Sequence, residues 1–68
     1  MLHPIKRARL ELGRPQWQVA AASGLQASRL SAIENARIKP RLDELERIAA
    51  ALAVPLSMLT ADRGAVGA

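Results

Sequence analysis

Residues 15–35 read PQWQVAAASGLQASRLSAIEN. Pro15 suits the first turn of a helix, where its missing N–H leaves nothing unpaired. In a helix over about residues 15–22, Val19 and Ala20 face the interior. Ser23-Gly24 then ends it, because glycine is free to take positive φ. A further helix runs from about Ala27 to Asn35, so only residues 23–26 separate the two. A turn that short with one left-handed residue makes its helices cross steeply. Steep crossing needs a small residue at the contact, which Ala20 supplies. It also needs apolar anchors behind the second helix, and Leu30 and Ile33 are spaced to provide them. The other side carries Ser28, Ala32 and Asn35 at i, i+4, i+7 spacing, with Arg29 beside them. That side has no large apolar group and no acid, whereas a solvated face usually mixes Glu with Lys. It is shaped to fit against a surface carrying hydrogen-bonding edges and negative charge.

Outward from this stretch, helical spacing recurs and no strand-like alternation lasts. Ile5, Ala8 and Leu12 line one face of a first helix, which Gly13 can close. The segment ARIKPR, residues 36–41, reads as a loop, since Pro40 disfavours helix at Lys39. Leu42, Leu45, Ile48, Ala49 and Leu52 stripe a fourth helix from about Arg41 to Ala53. Its first turn carries Asp43 and Glu44, as the helix dipole prefers. Pro55 opens a short fifth helix, Leu56 to Leu59. The expectation is an all-α fold: one domain over residues 1–60 and a tail, ADRGAVGA at 61–68, that has little to bury and frays.

Sixty-eight residues suffice for one small domain with a weakly stabilising core. Absence of cysteine excludes a disulfide framework and a thiolate metal site. No apolar run approaches a membrane span, and MLHPIKRARL lacks the apolar stretch of a signal peptide. A soluble cytoplasmic protein is expected. No nucleophile–base pair, metal-ligand spacing or glycine-rich phosphate loop is present, so neither enzyme activity nor a cofactor is expected. Charge is uneven. Residues 1–41 hold eight basic side chains against Glu11 and Glu34, a net of +6, and residues 42–68 carry a net of −2. One end should attract polyanions, although a chance imbalance on a solubilising surface would read the same way.

From Ile5 to Leu59 the chain resembles the phage-repressor-like (Cro/C1, xenobiotic-response-element) helix-turn-helix family. The matching stretches are Arg9, GRPQWQVA, SGLQASRLSAIENAR, KPRLDELERIAAAL and VPLSML. Gln16, Ala20, Gly24, Leu30, Ile33, Glu34 and Pro40 keep their mutual spacing. The resemblance implies a five-helix, lambda-repressor-like domain that binds double-stranded operator DNA as a homodimer. It assigns Gln16 to a phosphate at the start of helix two. Trp17 beside it can offer its indole N–H to a phosphate or shield the junction of helices one and two. Packing is favoured, because this small core lacks aromatics. Helix three becomes the reading helix, with Gln26 at its head and Ala27, Ser28, Arg29 and Ala32 at or beside the reading positions. The alanines offer methyls and Ser28 discriminates weakly, so Arg29 is the expected source of base specificity. Asn35, Arg37 and Lys39 fall where family members hold phosphates. The family pattern pairs Arg9 with Glu34, and Leu56, Met58 and Leu59 of helix five are expected at the dimer interface. His3 is given no role.

The chain departs from the family pattern in places. Pro15 replaces a capping Ser or Thr. Pro55 makes the same exchange before helix five, and Gln26 replaces a Ser or Thr at the head of helix three. Arg14 stands at a usually apolar position. Ala36 replaces a glycine, so a left-handed residue there must fall on Asn35 or strain Ala36. A second function class is an antitoxin that contacts a toxin and binds its own promoter, although no separate toxin-binding extension is evident.

Overall fold

A computed structural model describes residues 3–60, and the expected frayed tail at 61–68 lies outside the described residues. The helices are α1 (Pro4–Glu11), α2 (Gln16–Ser23), α3 (Ala27–Glu34), α4 (Leu42–Leu52) and α5 (Leu56–Leu59), with no strand among the described residues. Each helix is too short to persist alone, so packing of its apolar face must hold it. Ile5, Val19, Leu30, Ile33, Ile48 and Leu52 are essentially sealed from solvent, and Leu45 and Leu59 join them. At about 1.5–3 kcal/mol for a fully buried aliphatic side chain, this cluster is the principal stabilising term. α2 packs chiefly on α4 and α3, while α5 closes the open end between α1 and α4.

One device ends each of the first four helices. An N–H bonds back five residues, and the N–H before it bonds back three. The pairs are Arg14→Arg9 with Gly13→Leu10, Leu25→Ala20 with Gly24→Ala21, Arg37→Ala32 with Ala36→Ile33, and Val54→Ala49 with Ala53→Ala50. This Schellman closure requires a left-handed residue just past the helix. Gly13 and Gly24 meet the requirement at φ +67° and +74°. Ala36 and Ala53 meet it at φ 59° and 57° despite carrying a Cβ. Of the two ways to accommodate Ala36, the chain adopts the strained one, with Asn35 at φ −92°.

Three packing expectations are corrected. Leu12 lies past the end of α1 and is exposed, and Arg9, one turn after Ile5, takes the interior position instead. Pro15 is the residue before α2 with extended φ/ψ, not a residue of its first turn. Leu59 is 4% exposed inside its own domain core, so it is not free to form a dimer surface. His3 acquires a role the sequence did not suggest: its Nδ1 accepts the Ile5 N–H at 3.1 Å and caps α1.

Candidate nucleic-acid interface

Gly24 at φ +74° and ψ 19° turns the chain between α2 and α3, and the bonds from Gly24 and Leu25 tie that turn to α2. Ala20, at 3% exposure, permits the close crossing. Ser23 is also buried, yet satisfied, its hydroxyl donating to the Val19 and Ala20 carbonyls at 2.8 and 3.1 Å. α3 therefore has a fixed back. Leu30 and Ile33 enter the core, while Ala27 and Ser28 at its start are exposed and Ala32 is half-buried.

The far end of α3 is held by charge. Arg9 donates from Nε and Nη2 to Glu34 Oε2 and Oε1 at 2.8 and 3.0 Å. Its Nη1 donates to the Arg14 carbonyl at 3.0 Å, and Gln16 Nε2 donates to Glu34 Oε1 at 3.1 Å. One buried carboxylate thus joins α1 and the start of α2 to the end of α3, with Arg14 held through Arg9. Fork geometry and full use of the carboxylate offset desolvation, so the pair fixes geometry more than it adds net stability. The Gln16 amide has one further N–H to offer outside this cluster.

Arg29 does not sit as expected. Its Nε and Nη2 donate to Glu44 Oε2 and Oε1 of α4 at 2.6 and 2.9 Å. Glu44 also accepts the Arg41 N–H at 2.8 Å, capping α4. Its carboxyl is lowered to about 2, first by the Arg29 hydrogen bonds and then, against the cost of burial, by the Arg41 N–H. The same hydrogen bonds raise the Arg29 pKa. An arginine gripped by an internal carboxylate has less freedom to follow base edges than its place on α3 alone suggests. In the sequence Glu44 reads only as a complement to the helix dipole. A long side chain reaching from one helix to the start of another leaves no local periodic signal.

Trp17 is also corrected. It is 68% exposed and shields no junction. It stands beside Gln16 at the start of α2, on the outside. Gln26, Asn35, Arg37 and Lys39 are exposed too, and Asn35 Nδ2 reaches Ser31 Oγ at 3.4 Å. Arg37 and Lys39 meet no carboxylate at ion-pair distance among the described residues, whereas Arg41 and Arg47 share Asp43 at 3.3 and 3.5 Å. The loop after α3 thus keeps its positive charge, while the start of α4 neutralises much of its own.

A family model described as helix-turn-helix matches residues 5–59, which spans α1 to α5. The chain belongs to the Cro/C1-type helix-turn-helix family. Searches of curated proteins and of solved structures found no match. Membership makes this a DNA-binding domain of a transcription-regulating kind. Within this helix-turn-helix, α2 and α3 are the two helices of the motif. Among the described residues no helix is long and apolar enough to cross a membrane.

Proposed function

We propose that this helix-turn-helix protein is a sequence-specific transcriptional regulator that binds a pseudo-palindromic operator as a homodimer, with α3 in the major groove. The observation that carries the reading is the asymmetry of α3. Its back is anchored by Leu30, Ile33 and the Glu34 cluster, while Ala27 and Ser28 are outward, small and free of acid. Small side chains let a helix approach base edges closely, and alanine methyls fit thymine methyls. Gln16 and Trp17 at the start of α2, and Asn35, Arg37 and Lys39 after α3, flank that face as phosphate contacts. Gln26 stands at the head of α3 and can reach either.

Two copies are needed because one short helix reads few base pairs. Met58 is 48% exposed on α5 and Leu56 is half-buried beside it. These two would meet across the two-fold axis, with Leu59 supporting them from the core. Two α3 helices would then lie about 34 Å apart, one turn of DNA. Selection from random duplex DNA tests this reading. It predicts enrichment of two inverted half-sites centred about one helical turn apart. Failure to enrich any sequence would overturn it.

A further inference from the structure

Arg29 and Glu44 form the one buried-carboxylate pair outside the Arg9–Glu34 cluster among the described residues. Its two partners are unequal. The Glu44 side chain is 3% exposed and the Arg29 side chain 40%. Glu44 is fully used, accepting from Arg29 Nε, Arg29 Nη2 and the Arg41 N–H. Arg29 is not. A guanidinium has five N–H groups, and the two bonds to Glu44 leave both N–H groups of Nη1 and one of Nη2. The carboxylate thus grips the Nε–Nη2 edge of the guanidinium and leaves the Nη1–Nη2 end without a carboxylate, on a side chain that stays 40% exposed.

Held this way, Arg29 differs from Arg37 and Lys39. A free cation follows a phosphate wherever it lies. A guanidinium gripped along one edge offers donors at a fixed place, and Glu44 cancels most of its long-range attraction. Such a group adds little to loose, sequence-independent binding. It contributes when the backbone lies in one register, which is what a positioning contact does.

We propose that Glu44 is a positioning residue of the DNA interface, holding Arg29 so that its Nη1–Nη2 end fixes one backbone phosphate beside α3. The inference rests on the DNA-binding reading above. Glu44 touches no DNA in it and acts through Arg29 alone.

Binding isotherms on the selected operator and on a scrambled duplex, at several salt concentrations, test it. Glu44→Gln keeps an oxygen for the Arg41 N–H but loses the grip on Arg29. It should weaken operator binding about tenfold, roughly one charge-assisted hydrogen bond. The scrambled duplex should be bound unchanged or more tightly, because a negative charge is gone. Equal weakening on both duplexes, or an unchanged ratio, would overturn the proposal. The double variant Arg29→Ala/Glu44→Gln leaves no buried unpaired charge, and unfolding by circular dichroism verifies that it folds. Its operator salt slope should be shallower than wild type by about 0.9, one phosphate released. A wild-type slope in this folded variant would contradict the clamp. If the wild-type protein selects no duplex, the DNA reading falls and this inference with it. If it selects one and Glu44→Gln keeps the ratio, only this inference falls.

Discussion

At Ala36 the chain accepts a left-handed φ of 59° with a Cβ present, so local strain is stored directly after α3. The left-handed conformation costs an L-residue about 1–2 kcal/mol, and glycine regains part of this as unfolded-state entropy, about 0.4–1 kcal/mol. Ala36→Gly should therefore stabilise the domain by about 0.5–1 kcal/mol, raising Tm by a few degrees. Thermal unfolding by circular dichroism measures this, and a lowered Tm would show that the Ala36 methyl makes a contact worth more than the strain. A buried charge gives the opposite sign. Arg9→Met strands Glu34 in the core and should cost about 3–5 kcal/mol, comparable with the whole stability of so small a domain. Urea unfolding should find this variant largely unfolded without denaturant. Glu44 adds an acid limit. Its folded pKa of about 2 lies below the ordinary 4.5, so its stabilisation is complete above about pH 4.5 and is lost as pH falls toward 2. Glu44→Gln should flatten that part of the stability–pH profile, and an unchanged profile would mean the carboxylate titrates normally.

Residue-scale roles were the least legible in the sequence, for a physical reason. The Arg9–Glu34 pairing followed from family position, but the bonds from Gln16 to Glu34 and from Arg29 to Glu44 join residues 18 and 15 positions apart. Nothing local marks them. For Trp17 the large apolar area argues for burial anywhere, while its place at the outer start of α2 decides otherwise. His3 gives no capping signal in the sequence, because an imidazole accepting a helix N–H is an uncommon cap and the usual capping residues are Ser, Thr, Asp and Asn.

At the scale of the helices the sequence was far more legible. Gly24, Pro40 and Pro55 punctuate it, and their backbone restrictions set boundaries within a residue or two of those observed. Leu12 shows the limit. It has the spacing of Ile5 and Ala8, but α1 stops one residue earlier and the Gly13 turn carries it outward. The starts of α2, α3 and α5 carry no side-chain cap, with Pro15, Gln26 and Pro55 before them. Gln26→Ser should therefore stabilise α3 by about 0.5–2 kcal/mol by supplying an acceptor to its first turn. Pro15→Ser should gain less, because proline already restricts the unfolded chain. Chemical denaturation of both variants makes the comparison. A Gln26→Ser variant less stable than wild type would mean that the Gln26 side chain already contributes a contact which serine cannot replace.

For the molecule as a whole, the two restraints on α3 are the central feature. Arg9 and Gln16 fix its end through Glu34, and Glu44 fixes its side through Arg29. Placement of α3 is thereby set by the fold itself. The proposed dimer depends on α5, and Met58→Glu should weaken it by placing like charges across the two-fold axis. Sedimentation with and without operator DNA should show this variant shifted toward monomer, and identical association would move the interface elsewhere. The claim on which the rest depends is that the start of α2, α3 and the loop after it meet DNA. Amide chemical-shift mapping of the labelled protein during titration with the selected operator tests it most directly. The largest changes are expected at residues 16–17, 26–32 and 35–39, with α5 affected only if DNA drives dimerisation. Changes concentrated on α4 and α1, with residues 26–32 silent, would contradict it.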